Sequence, residues 1–344
     1  MADLDFLPLN ELVLKVERDA SFSRTEMPGG ASTRRYFRIV FSSGKSAVAM
    51  FVPEGGKPEE IHKAAEHRRW PFLEVRELLA SCGVDVPRIL AEDTDRGWLL
   101  LEDLGDDTLA NVLSAYPAKK AALYTQAVTD LARAQARLST LPDDCVVKTR
   151  SFDDDLLRLE IDHFREWGLD ARGKSLGPSD RALFDGIASR LAKRISALPY
   201  GFTHRDYQSR NLMVRPSGEL TWIDFQDALL GPRVYDLVAL LNDSYQEFDR
   251  PFVEARLDEF AATAKLSRTE REALELQFDL VTVQRKLKDA GRFVFIDRVK
   301  QNASFLRFVS PTVAKVKSAL TRLSARDEDM SALGEILARV LPDE

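Results

Sequence analysis

Between residues 202 and 227, two aspartates and an asparagine stand at the ends of short apolar runs. Asp206 closes the stretch Phe202-Thr203-His204-Arg205-Asp206, Asn211 follows after four intervening residues, and Asp224 closes Leu220-Thr221-Trp222-Ile223-Asp224. One carboxylate can orient an attacking hydroxyl and accept its proton. An amide oxygen and a second carboxylate can hold Mg²⁺ on nucleotide phosphates. Phosphoryl transfer needs that set. His-Arg-Asp-x₄-Asn, a turn at Pro216-Ser217-Gly218, then Asp224-Phe225 is the order of a kinase catalytic segment. A lone His-x-Asp would say little, whereas the whole arrangement in one short stretch is specific. Asp206 is therefore the candidate catalytic base, and Asn211 and Asp224 are candidate ligands of Mg²⁺.

Those side chains need a second body to bring ATP to them. Residues 9–19 read as a short helix, with Leu9, Leu12, Val13 and Val16 on one face. A strand, the small-residue loop Gly29-Gly30-Ala31-Ser32, a second strand through Phe41 and a third over Ala47–Val52 follow. Backbone N–H groups at Gly30 and Ser32 are placed to cover phosphates. The third strand carries Met50 where kinases place a phosphate-pairing lysine. Arg34, Arg35 and Arg38 lie close by, and a guanidinium suits phosphate. Alternation sends Arg34, Tyr36 and Arg38 to one face and Arg35 and Phe37 to the other. A helix over 59–81 carries Glu66, Glu74 and Glu77, read as surface carboxylates in the absence of that lysine. Two further strands precede Glu102-Asp103-Leu104, where backbone groups of Glu102 and Leu104 would meet the adenine edge. The fold class expected is α+β: a small antiparallel sheet in an N-terminal lobe, residues 1–102, and a larger, mainly helical lobe, residues 103–344.

Helices are expected over 118–139, 152–167 (with Ser151 and Asp154 as its start), 179–198, 234–241, 249–264, 268–289, 308–322 and 328–341. Ser267-x-x-Glu270 reads as a capping box. Asp236, just after Asp224-Phe225, is expected to accept hydrogen bonds from the loop around His204, so both residues read as structural. The interval Gln226–Tyr235 has no room for the peptide-binding segment of a protein kinase, so the acceptor is expected to be a small molecule.

Composition agrees. The chain has 344 residues, 44% hydrophobic and 30% charged, with a formal net charge of −6, which gives no basic footprint for nucleic acid. Cys82 and Cys145 are far apart and read as reduced thiols. No apolar run is long enough for a membrane span, and the N-terminus lacks a signal core, so the expected location is the cytoplasm. Nothing in the sequence calls for an obligate protein partner.

Four stretches carry a family resemblance: Ala31 to Arg38 with Met50 in place of lysine; Leu100 to Asp106; His204 to Val214; and Ile223 to Ala228 with Gly231 to Leu237. They resemble the aminoglycoside phosphotransferase and choline kinase group, and within it most nearly the bacterial anomeric N-acetylmuramate/N-acetylglucosamine kinases. Gln284-Arg285-Lys286-Leu287-Lys288 with Gly291 is a weaker echo. The resemblance implies a protein-kinase-like bilobal fold, ATP and Mg²⁺ as cofactors, and an amino sugar from peptidoglycan recycling as acceptor. Asn242-Asp243 departs from the Arg-Asp usual there. Glu160, His163 and Trp167 share a helix face and are candidates for the sugar. Asp227, Asp243 and Tyr245 are further candidates, and Arg233 is a candidate for a lactyl carboxylate. The alternatives are another alcohol, such as an aminoglycoside or choline, or a nucleotide-binding pseudokinase.

Overall fold

The computed structural model describes residues 4–18, 21–28, 33–53 and 69–344. Helix Leu7–Val16 (α1) is followed by strands Phe22–Glu26 (β1), Arg35–Phe41 (β2) and Ser46–Phe51 (β3), helix Pro71–Ser81 (α2), and strands Ile89–Asp93 (β4) and Trp98–Glu102 (β5). The strands form one antiparallel sheet in the order β1-β2-β3-β5-β4. Alternation gives it two apolar faces. Phe37, Ile39, Ala47, Ala49, Trp98 and Leu100 face one way and are covered by Leu9, Leu12 and Val13 of α1. Tyr36, Met50 and Leu99, paired in register across three strands, face the other way and join the core of the helical half. Met50 is fully buried there.

The chain then runs through Leu109–Ala115 (α3), Lys120–Arg137 (α4), Asp154–His163 (α5) and Pro178–Ser196 (α6). Four short strands follow: Tyr200–Thr203 (β6), Leu212–Val214 (β7), Leu220–Trp222 (β8) and Leu229–Pro232 (β9). Helices Tyr235–Leu241 (α7), Arg250–Thr263 (α8), Arg268–Lys300 (α9), Val309–Ser324 (α10) and Glu328–Val340 (α11) complete it. No helix among the described residues is long and apolar enough to cross a membrane.

Four expectations need correction. Of the helix expected over 59–81, the described part begins at Pro71, and residues 59–68 lie outside the described residues. The helix expected from 152 begins at Asp154, capped by Asp153, whose Oδ1 accepts from Leu156 N at 2.8 Å; Ser151 instead bridges to Leu230. Beyond His163 that helix widens into a π-turn, Phe164–Leu169. The helix expected to stop at 289 runs to Lys300, 33 residues in all, behind the expected Ser267–Glu270 capping box. Gly291, in the unexpected extension of that helix, serves packing. A Cβ on it would lie 2.8 Å from the carbonyl oxygen of His163 and from Cα of Phe164. The short helix α3 was not anticipated; its N-cap Thr108 accepts from Asn111 N at 3.1 Å.

The contact at Gly291 is backbone against backbone and has no flexible group to yield. Gly291→Ala is expected to destabilise the protein by about 1–3 kcal/mol, the usual cost of overpacking, read as a lower midpoint in urea unfolding.

Candidate active site

The loop between β6 and β7 owes its shape to one carboxylate. Asp236, fully buried at the start of α7, accepts from His204 N at 2.7 Å and from Arg205 N at 3.0 Å. Arg205 is thereby held at φ 77°, and Asp224 sits at φ 60°. Left-handed backbone at a residue with a Cβ costs roughly 1–3 kcal/mol and persists only where the surroundings impose it. His204 ties the two segments together: its Nε2–H donates to the Ile223 carbonyl at 3.1 Å, just before Asp224. Burial pushes its imidazole down to about 4, so it is neutral. Burial pushes Asp236 up to about 7, against the downward pull of its two backbone donors.

Helix α9 supplies the next layer. Arg285, almost fully buried, donates to the Arg205 carbonyl at 2.7 Å and reaches Asp206 Oδ1 at 3.3 Å. Its guanidinium lies over the Tyr235 ring. Burial pushes the Asp206 carboxyl up, but the charges of Lys288, Arg285 and Arg205 together outweigh it, and the net shift is downward. Asp206 is thus ionised and able to accept a proton. The Asn211 amide nitrogen donates to the Asp206 carbonyl at 2.9 Å, which leaves its Oδ1 without a hydrogen bond from the described residues.

Asp224 receives Gln226 Nε2 at 2.9 Å and Arg34 Nη1 at 3.4 Å, and its side chain remains 45% exposed. Crowding by protein atoms and the neighbouring Asp206 charge raise its pKa. A carboxylate in that position, beside a spare amide oxygen, suits a hard cation. Among the described residues no cluster of three His, Cys, Asp or Glu side chains could hold a metal ion. A divalent ion here would take Asn211 and Asp224 and complete its shell with phosphate oxygens and water, as Mg²⁺ prefers.

The three arginines go to different partners. Arg34 turns toward Asp224, with its side chain only 15% exposed. Arg35 pairs with Glu26 at 2.8 Å on the outer edge of the sheet. Arg38 pairs with Asp103 and Asp106 at the exit of β5. Gly30 and Ser32 lie outside the described residues, as does Glu66. Glu74 is not a surface carboxylate: it accepts from Val146 N across the chain. Glu77 pairs with Arg69. The Glu102 side chain binds Arg215 at 2.9 Å and Arg88 at 3.2 Å, and Leu104 is half-buried beside it.

Among the acceptor candidates, Glu160 is buried beneath the loop, where it receives Arg205 Nη2 at 3.2 Å and Gln284 Nε2 at 2.8 Å. It holds the floor of the site and is closed to a ligand. Arg233 is exposed at the far end of β6 from His204, because Tyr200 pairs with Pro232. It cannot share a ligand with Asp206. His163 and Trp167 are half-buried and meet Phe295 of α9, with ring centroids 5.4 and 5.1 Å away. Asp227 receives Gln226 Nε2 at 3.2 Å. Asp243 receives Ser209 N at 2.9 Å and is fully buried. Arg285 and Lys288 had no assigned role in the sequence reading; the signal for them is charge inside an otherwise buried helical stretch.

A sheet-bearing half, a loop that presents an ionised aspartate and an Asn–Asp pair beside it fit a phosphotransferase of kinase-like architecture. The model of the phosphotransferase enzyme family matches residues 23–275, and the chain belongs to that family. It is 33% identical over 326 residues to an N-acetylmuramate/N-acetylglucosamine kinase from Pseudomonas putida, covering 92% of this chain and 88% of that one. It is 32% identical to a protein of the same name from Neisseria meningitidis, covering 95% and 93%. In structure it resembles a choline kinase from Streptococcus pneumoniae (TM-score 0.61, 15% identity, 92% and 98% covered). It also resembles an aminoglycoside phosphotransferase bound to streptomycin and ATP (TM-score 0.57, 14% identity, 91% and 97% covered).

Asp236→Asn leaves one acceptor for two N–H donors. It is expected to cost about 1–3 kcal/mol and to lower kcat sharply, because Arg205 is freed to leave its left-handed conformation. The pH dependence should change as well. Folded His204, near 4 instead of 6.5, withdraws stability as pH falls through that window. Folded Asp236, near 7 instead of 3.8, adds stability over much of the same window. With Asn the histidine is unopposed, and thermal melts should show a steeper loss between about pH 6.5 and about pH 4 than in wild type.

Proposed function

We propose that this phosphotransferase moves the γ-phosphoryl group of ATP to the anomeric hydroxyl of N-acetylmuramate and N-acetylglucosamine. The observation that carries this reading is the match, over about nine-tenths of both chains, to relatives that bear those two sugars in their name. Asp206 would take the hydroxyl proton as the sugar oxygen bonds to phosphorus and the bond from phosphorus to the β–γ bridging oxygen breaks, releasing ADP. Asn211 and Asp224 would hold Mg²⁺, which neutralises phosphate charge when bound. Arg34 would supply to the phosphates the cation that Met50 does not. Backbone groups of Glu102 and Leu104, where the two lobes would divide, would meet adenine, and Gly30 and Ser32 would cover the phosphates. His163 and Trp167, with Asp227, remain candidates for contacts to the sugar. Such a kinase would act on free amino sugars recovered from peptidoglycan, in the cytoplasm.

The test is phosphorus and proton NMR on the chain with ATP, Mg²⁺ and each sugar, with kanamycin and choline alongside. A phosphate coupled to the anomeric proton is the expected product. Phosphate on kanamycin or choline alone would replace the acceptor, and silence with every acceptor despite ATP binding would favour a pseudokinase. Asp206→Asn should lower kcat by about 10²–10⁴-fold with ADP binding retained. Arg34→Ala should raise the KM for ATP by roughly tenfold, whereas Arg35→Ala, on the outer edge of the sheet, should change it by less than about twofold.

A further inference from the structure

Beside the catalytic loop, between α3, the segment after α7 and the start of α10, lies a pocket of about 420 Å³. Arg210 and Arg307 line it, together with Asn111, Ser114 and Gln246 and the rings of Tyr245 and Phe308. Arg210 stands immediately before Asn211 in the loop that carries Asp206. Its guanidinium is stacked 3.5 Å above the Tyr245 ring, and Arg307 lies 4.8 Å from the Phe308 ring. Stacking fixes the plane of a guanidinium and leaves its N–H edge available.

Many arginines elsewhere in the chain are held by carboxylates, and others by backbone carbonyls, as Arg76, Arg137 and Arg150 are. Arg158, Arg215 and Arg250 each bind at least two carboxylates. Arg210 and Arg307 have no carboxylate within ion-pair distance among the described residues, and none of the residues lining the pocket is acidic. In a chain of net charge −6 this is a local reversal of sign at the edge of the site. Tyr245 belongs to both places: the Asp206 charge acts on its hydroxyl, and its ring carries Arg210.

We infer that this pocket binds the carboxylate of an anionic acceptor, the lactyl group of N-acetylmuramate, through Arg210 and Arg307. This rests on the amino-sugar kinase reading and adds to it the residues that favour the acidic sugar over the neutral one. The two sugars share the reacting anomeric hydroxyl and differ in the lactyl ether on the ring. A contact to that group alters selection between them without altering the chemistry. Arg233, at the far end of β6, is replaced in this role.

The experiment compares kcat/KM for N-acetylmuramate with that for N-acetylglucosamine, in wild type and in Arg210→Gln, Arg307→Gln and Gln246→Glu. Gln246→Glu keeps both arginines and adds a repelling charge, so it tests the pocket even where Arg210→Gln fails to fold. Thermal melts and ADP binding check folding. The ratio of the two sugars is expected to fall by about tenfold or more in the arginine variants and to fall in Gln246→Glu. On wild type, the methyl ester of N-acetylmuramate should lose the advantage of the acid. A ratio within about twofold of wild type in every folded variant would overturn the pocket and leave the kinase reading standing, given typical surface-charge effects. A wild-type protein that phosphorylates neither sugar would overturn both.

Discussion

The hydrogen bonds from His204 N and Arg205 N to the buried Asp236 carboxylate are the constraint on which the site depends. They hold Arg205 in a conformation it would not adopt alone, and so set the direction in which the chain delivers Asp206. Other contacts defend the same bend. Arg285 holds the Arg205 carbonyl from one side, and Glu160 with Gln284 receives the Arg205 side chain from below. Placing a reacting group in advance removes from the reaction the entropy cost of finding it. Here the placement is made by backbone hydrogen bonds to a fully buried side chain, where each carries more weight than at the surface.

The site also separates two carboxylates by surrounding them differently. Asp206 faces cations from α9 and from its own loop, which outweigh its burial and hold it ionised. Asp224 faces the open side and feels the charge of Asp206, with Gln226 and a longer contact to Arg34 as partial compensation. The first environment suits a proton acceptor. The second suits an oxygen ligand that becomes comfortable beside a positive ion.

How legible this was follows from how local each signal is. Asp206, Asn211 and Asp224 are separated by a turn and two three-residue strands, so their order in sequence largely sets their order in space. Alternation likewise put Arg34, Tyr36 and Arg38 on one face, but it cannot name the carboxylate each would meet. For Arg34 that is Asp224, 190 positions away. Glu160 shows the limit more sharply. Helical periodicity groups it with His163 and Trp167, yet whether that face is open depends on Arg205 and Gln284, which arrive from much later in the chain. Gly291 meets the same limit. Its role as a close-packing position depends on the approach of the π-turn after α5, which local sequence does not announce.

Met50 has a consequence for control. In kinases governed by their small-lobe helix, the governed event is the meeting of a strand lysine with a helix glutamate. In this chain the strand position is an apolar side chain sealed in the core, and Glu74 of α2 is bonded to Val146 in the helical half. Phe72 of the same helix stacks on Phe225, next to Asp224, with ring centroids 5.0 Å apart. The helix is a rivet where other kinases have a lever, and among the described residues no ion pair joins it to β3, which carries no charged side chain. The position of that helix is set by buried packing and a backbone hydrogen bond, so moving it would break apolar contacts where a regulated kinase would break a salt bridge.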